Sequence, residues 1–267
     1  MPRSPSVPWS REHLLVALNL YRKLPFGKLD KGNPLVREVA AKMGRTPSSL
    51  AMKLTNLASF DPVQKARKVS GLKRASKQDE EMWNEFNSNL AELAPQSEQL
   101  LHDLFTRDEG VEVDFLDGKN VRLVRSRAHD GATEAIALVK VRRGQQFFRQ
   151  SILSAYGVRC CISGIGIPRL LVASHIRPWR DFPGERLDPR NGLCLSSLHD
   201  AAFDGGLITL DESLRVVLGK SLRGHFPNEI LEKSFSVFEG KPIRFPEKLA
   251  QPSTEFLAHH REKIFQG

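Results

Sequence analysis

The chain has 267 residues, 27% charged and 40% hydrophobic, a composition that fits folded domains rather than a disordered tail or a fibre, and its length leaves room for two of them. Lys and Arg outnumber Asp and Glu by 40 to 31, and the excess is local: residues 1–75 hold 15 basic against 4 acidic side chains, the rest 25 against 27. That block is the footprint of a polyanion binder such as DNA. No apolar run approaches the roughly 18 residues of a membrane span, and the N-terminus lacks an apolar secretory core. Three cysteines, two of them adjacent, argue against a disulfide scaffold and for a cytoplasmic protein.

Three helices are predicted in the basic block. Ser10 is an N-cap ahead of Leu14, Leu15, Leu18 and Tyr21 at helical spacing. Asn33-Pro34 and Thr46-Pro47 each pair a capping residue with proline at the first helical position, and Gly44 separates the two helices they open. Residues 1–60 therefore read as a helix-turn-helix-like domain, with Arg45, Ser48, Ser49, Lys53 and Asn56 expected to face DNA. Residues 61–105 read as a basic linker followed by acidic connecting helices that carry Met82, Trp83 and Phe86. Residues 106–143 read as a β-rich spacer. Its hairpin, "VEVDFLDGKNVRLVRSR", turns at Asp117-Gly118, and "EAIALVKVRR" is open between strand and helix.

From residue 144 the pattern sharpens. "QQFFRQSILSAYG" is an amphipathic helix closed by Gly157, and "LLVASHIRPWR" is an apolar strand that ends on His175. A polar loop leads to the short strand "NGLCL". Ser197, with Asp200 three residues later, then suggests a capping box for a helix that carries His199. The order strand, loop, strand, helix, with "HIRPW" and "NGLCLSSLHDAAFDGGLI", resembles the HNH endonuclease family, in its restriction-type branch, over about residues 140–210.

The resemblance implies an α+β fold in which an N-terminal helical domain precedes an α+β domain, residues 144–267, containing a ββα-metal motif with its core at 160–206. It implies a metal-dependent DNA endonuclease with His175 as general base, Asn191 as a positioning residue and His199 holding a divalent ion. Mg²⁺ is the first choice of ion, with Mn²⁺, Ni²⁺ or Zn²⁺ as alternatives. Ser174 stands where many relatives carry an aspartate ligand, so Asp204 is a further candidate. Cys160, Cys161 and Cys194 cannot make a four-cysteine zinc site and read as small core residues. Arg177, Arg180, Arg186 and Arg190 could clamp phosphate. A basic reader paired with a cutter points to a restriction or defence enzyme, and a homodimer would suit double-strand cleavage. The rival readings are a DNA-binding protein with a decayed nuclease site and a nicking or structure-specific nuclease.

Overall fold

Side-chain caps start the helices of the basic block. Ser10 accepts the His13 N–H ahead of α1 (Arg11–Lys23), Asn33 that of Leu35 ahead of α2 (Pro34–Lys42), and Thr46 that of Ser49 ahead of α3 (Pro47–Ala58). Each such cap stabilises its helix by roughly 1 kcal/mol. Gly44, at φ +66°, takes the left-handed conformation that turns α2 into α3. Asp61 caps α4 (Pro62–Ala66), and Ser76 with Asp79 forms a capping box at α5 (Lys77–Ser88), which α6 (Leu90–Thr106) follows. The computed structural model describes residues 8–67, 75–106, 111–117, 120–127, 135–245 and 251–267.

The chain divides into two units, Met1–Asp114 with Arg125–Arg143, and Phe115–Val124 with Gly144–Gly267. In the first, α5 and α6 do not merely connect, as the sequence reading had it; they pack on α1. Lys23 and Glu98, 1% and 2% exposed, form an ion pair beneath the surface, and Asn19 donates to both Ser97 Oγ and Glu98 Oε2 at 2.9 Å. A second pair joins α3 to α5, Lys53 Nζ to Asp79 Oδ1 at 2.6 Å.

That packing corrects part of the expected DNA-facing surface. Lys53 and Asn56 are buried, at 7% and 9% exposure, because the unit continues beyond its first three helices. Arg45 lies 3.9 Å over the Trp9 ring and donates to the Pro8 carbonyl, 2.7 Å away. Ser48 is exposed and Ser49 half-exposed.

Strands β1 (Val111–Asp117) and β2 (Asn120–Arg127) pair with each other; of the expected turn Asp117-Gly118, Asp117 ends β1, and residues 118–119 lie outside the described residues. Residues 135–143, open between strand and helix on sequence alone, form with the following segment one helix, α7 (Ala135–Ala155). Gly157, at φ +61°, ends it.

In the second unit β3 (Leu171–His175) and β4 (Gly192–Ser196) are antiparallel, with His175 opposite Gly192 and Ser174 opposite Leu193. Arg149 of α7 holds the start of β3 by donating to the carbonyls of Leu171, at 2.7 Å, and Pro168, at 3.2 Å. Helix α8 (Ser197–Asp204) packs on both strands. A second hairpin follows, β5 (Ile208–Leu210) with β6 (Val216–Leu218), then the short helices α9 (Lys220–Arg223) and α10 (Glu229–Ser234), and finally α11 (Thr254–Lys263). No helix among the described residues is long and apolar enough to cross a membrane.

Candidate active site

Because β3 alternates its side chains between faces, His175 and Ser174 point to opposite sides of the hairpin. His175 lies on the side covered by α7. Its ring stacks on Phe148 with centroids 4.0 Å apart, and Trp179 meets it edge-on at 5.3 Å. This stacking is possible because position 192 carries no side chain. A Cβ there would stand 2.3 Å from Ile152 Cδ1 and 2.9 Å from Phe148 Cζ.

His175 Nε2 lies 2.9 Å from the Arg186 carbonyl. A carbonyl can only accept, so Nε2 carries the proton and a neutral ring keeps its lone pair on Nδ1. Burial lowers the pKa of His175, the Arg186 charge acts in the same direction, and the Arg186 carbonyl partly opposes both. The ring is thus held neutral, in one tautomer, with no partner on Nδ1 among the described residues.

Asn191 organises the loop that supplies this carbonyl. Fully buried, it accepts the Arg177 N–H at 2.7 Å and donates Nδ2 to the carbonyls of Arg177 at 3.3 Å and Glu185 at 3.2 Å. It closes the loop across its neck, one residue short of the Arg186 carbonyl that His175 uses.

The loop arginines are largely committed within the protein. Arg177 pairs with Glu185 at 2.8 Å and Glu255 at 2.9 Å, and Arg190 pairs with Asp188 at 2.7 Å. Arg186 donates to the Trp179 carbonyl at 2.7 Å with its guanidinium over the Trp179 ring. Arg180 is exposed, and no partner for its side chain is seen among the described residues.

On the α8 side the structure differs from expectation by one residue. The N-cap is Ser196, not Ser197, and its hydroxyl accepts the His199 N–H. A step of one residue turns a helix by about 100°, given 3.6 residues per turn. Asp200 is thereby released from capping and faces Ser174 across the β3–α8 interface. Ser174 is 2% exposed and its hydroxyl has no well-formed hydrogen bond, yet it lies near enough to favour the charged Asp200 carboxylate. Burial outweighs that contact and leaves the Asp200 pKa raised. One turn later, partial burial and the Asp200 charge lift Asp204 to about 6, although the residue keeps an exposed flank at the helix end.

His199 takes a different place. It is 2% exposed, with Nε2 donating to the Ser234 carbonyl at 3.0 Å and Nδ1 engaged by the Ser196 hydroxyl at 2.7 Å, beside Cys160 Sγ at 3.9 Å. The edges of Phe235 and Phe238 close over it. With both ring nitrogens engaged, the expectation that His199 holds a divalent ion is not met by this geometry.

Cys160, Cys161 and Cys194 are buried free thiols. Burial pushes Cys161 up, and pushes Cys194 to about 12. Burial opposes ionisation at Cys160 too, but contacts from His199 and Ser163 outweigh it and bring the thiol down to about 6. Cys160 is therefore part of a polar knot with His199 and Ser196, not a plain core filler.

Two carboxylates one turn apart, with an unsatisfied buried hydroxyl beside the first, form an all-oxygen donor set suited to a hard divalent cation. Among the described residues no three His, Cys, Asp or Glu side chains converge as a metal-binding group, so water and phosphate would complete the coordination. The i, i+4 pair in "DAAFD" was readable in the sequence, but the expected cap had assigned Asp200 to another task. A comparison with curated proteins returned no match. Residues 160–211 match the family model described as HNH endonuclease.

Proposed function

With residues 160–211 an HNH endonuclease segment, and nucleic acid therefore its substrate, we propose that the protein is a metal-dependent DNA endonuclease of restriction or defence type, with His175 as its general base. A phosphodiester at the end of β3 would have His175 on one flank and Asp200 and Asp204 on the other. The Nδ1 lone pair of His175 takes a proton from the attacking water. The resulting imidazolium keeps its bond to the Arg186 carbonyl, so the charged form stays in the same orientation. Asp200 and Asp204 are the residues that would hold a divalent ion, which neutralises charge on the phosphate and on the departing oxygen. His199 supports the start of α8.

The observation that carries this reading is the Nε2–H bond of His175 to Arg186, which leaves Nδ1 basic in a ring kept neutral. DNA affinity is assigned to the exposed cations of the helical unit, including Lys28, Lys31 and Arg37, with Arg180 reaching the substrate from the site loop. The test is plasmid cleavage in Mg²⁺, Mn²⁺ or EDTA, comparing the parent protein with His175→Ala on methylated and unmethylated DNA. Cleavage that needs the ion and His175 supports the reading, and preference for one methylation state supports the defence role. Intact DNA binding without cleavage on either substrate, in every ion, would favour a decayed site.

A further inference from the structure

Helix α11 and the residues after it lie beyond the segment 160–211, yet they grip the end of α8. His260, 1% exposed, stacks on Phe203 with centroids 3.7 Å apart and planes 15° from parallel. Its Nε2–H donates to the Phe203 carbonyl at 3.0 Å, and its Nδ1 is met by the Thr209 hydroxyl at 2.9 Å. Phe203 is the residue immediately before Asp204. Gln266 then donates its backbone N–H to the Gly206 carbonyl at 2.9 Å and its side-chain amide to the Gly205 carbonyl at 3.0 Å. A Cβ at Gly206 would lie 2.1 Å from the Ile264 carbonyl, so this strap sits directly on the backbone.

The last carbonyls of a helix lack intrahelical donors, and a terminal turn frays unless something else supplies them. Asp204 is in that terminal turn. A loosened turn would move its carboxylate relative to Asp200, which sits a turn deeper. Local backbone donors close the turn, Gly205 N–H to the Ala201 carbonyl at 3.0 Å, Gly206 N–H to that of Phe203 at 2.9 Å and Leu207 N–H to that of Ala202 at 2.8 Å. His260 and Gln266 add a second set of donors from a segment far away in sequence.

We propose that His260 is a positioning residue for Asp204: by holding the Phe203 carbonyl and the Phe203 ring together, it fixes the last turn of α8 so that both carboxylates meet one cation. This inference rests on the reading of Asp200 and Asp204 as the ion-holding pair.

The test uses the full chain and reads Mn²⁺ binding directly, from the free-ion electron paramagnetic resonance signal without DNA, alongside plasmid cleavage. His260→Ala should weaken Mn²⁺ binding by about tenfold or more, the size of effect typical of residues that orient metal ligands, with the KM for plasmid little changed. His260→Gln keeps a donor within reach of the carbonyl and should recover most of the affinity. Thr209→Val, which removes only the hydroxyl that orients the ring, should shift it less in the same direction and carries the test if His260→Ala does not fold. Leu257→Ala is the stability control: Leu257 is a buried α11 residue that makes none of these bonds, so the variant should melt earlier and bind Mn²⁺ like the parent. Parent-like Mn²⁺ binding by His260→Ala, or an equal loss in Leu257→Ala, overturns the proposal. Asp204→Asn separates the two claims. If it keeps full Mn²⁺ affinity, the ion-pair reading itself fails; if it loses affinity while the His260 variants do not, the positioning role alone fails.

Discussion

The two units hold their acidic side chains differently. In the helical unit two deeply buried acids have lysine partners, Lys23 for Glu98 and Lys53 for Asp79, and a third, Asp61, accepts the Tyr21 hydroxyl and the Val63 N–H. In the second unit Asp200 and Asp204 lie a turn apart on α8 with no ion pair among the described residues, and their pKa values are raised rather than lowered. Paired charge specifies how helices dock. The acidic pair without a counter-ion, its pKa values raised by partial burial, is the proposed cation site.

Removing the proposed base, His175, is the largest expected effect. His175→Ala should reduce cleavage by about 10²–10⁴-fold, the range general-base catalysis supplies, while fluorescence anisotropy reports unchanged DNA affinity. On the helical side, Lys23→Met leaves Glu98 buried without its partner and should lower that unit's stability by about 3–5 kcal/mol. Urea unfolding followed at Trp83 would show it. The double variant with Glu98→Leu should recover most of the loss, and a double variant as unstable as the single would mean that the pair does not act as a unit.

Gly192→Ala probes the backing of the base. Its Cβ must displace Phe148 or Ile152, at a cost of about 1–3 kcal/mol for overpacking, and activity should fall by more than stability explains because the ring beneath His175 moves. A parent-like cleavage rate at a temperature where the variant is folded would show that the Phe148 stack does not matter.

The unpaired carboxylates also predict a pH signature. The folded pKa of Asp204 is raised, so without metal its ionisation opposes folding, and the penalty grows as pH rises from the unfolded value near 4 through about 6. Asp204→Asn should therefore raise the metal-free melting temperature at pH 7.5 and leave it unchanged below pH 4. Because the residue is exposed and screened by solvent, the gain should be only about 1–3 °C. Metal reverses the sign: Mn²⁺ affinity should fall as pH drops below about 6, as the ligands protonate. The smallest effect is expected at the surface. Lys31→Ala or Arg180→Ala should each weaken DNA binding modestly and reduce the slope of log affinity against log salt by about one unit.

What the sequence disclosed was local. The strand ending on His175, the turn through Asn191 and the three capped helices each depend on a few neighbouring residues, and periodicity and capping chemistry expose them. What it concealed depended on distant contacts or on a single step of phase. Ser196 and Ser197 are both good caps, and sequence alone does not decide between them; the family resemblance points to His199 as the ligand, and the capping pattern assigns Asp200 to the cap. Lys53 belongs to the outer face of a three-helix domain until Asp79 of α5 pairs with it, and nothing within residues 1–60 announces that partner. His260 is 85 residues from His175, with no local pattern to connect them.

The Asn191 clamp has a consequence for chemical durability. Asn-Gly is the sequence at which an unfolded chain most readily forms a succinimide, through attack of the glycine nitrogen on the asparagine side chain. Here both partners are restrained: Asn191 Oδ1 is held by the Arg177 N–H, and the Gly192 N–H donates to the Pro189 carbonyl. Conversion to aspartate or isoaspartate would remove the amide donor that closes the neck of the loop. Ageing damage at this bond should consequently track the fraction of molecules whose β3–β4 loop is open, and a stored sample would lose activity one covalent lesion at a time without any change in length detectable on a gel.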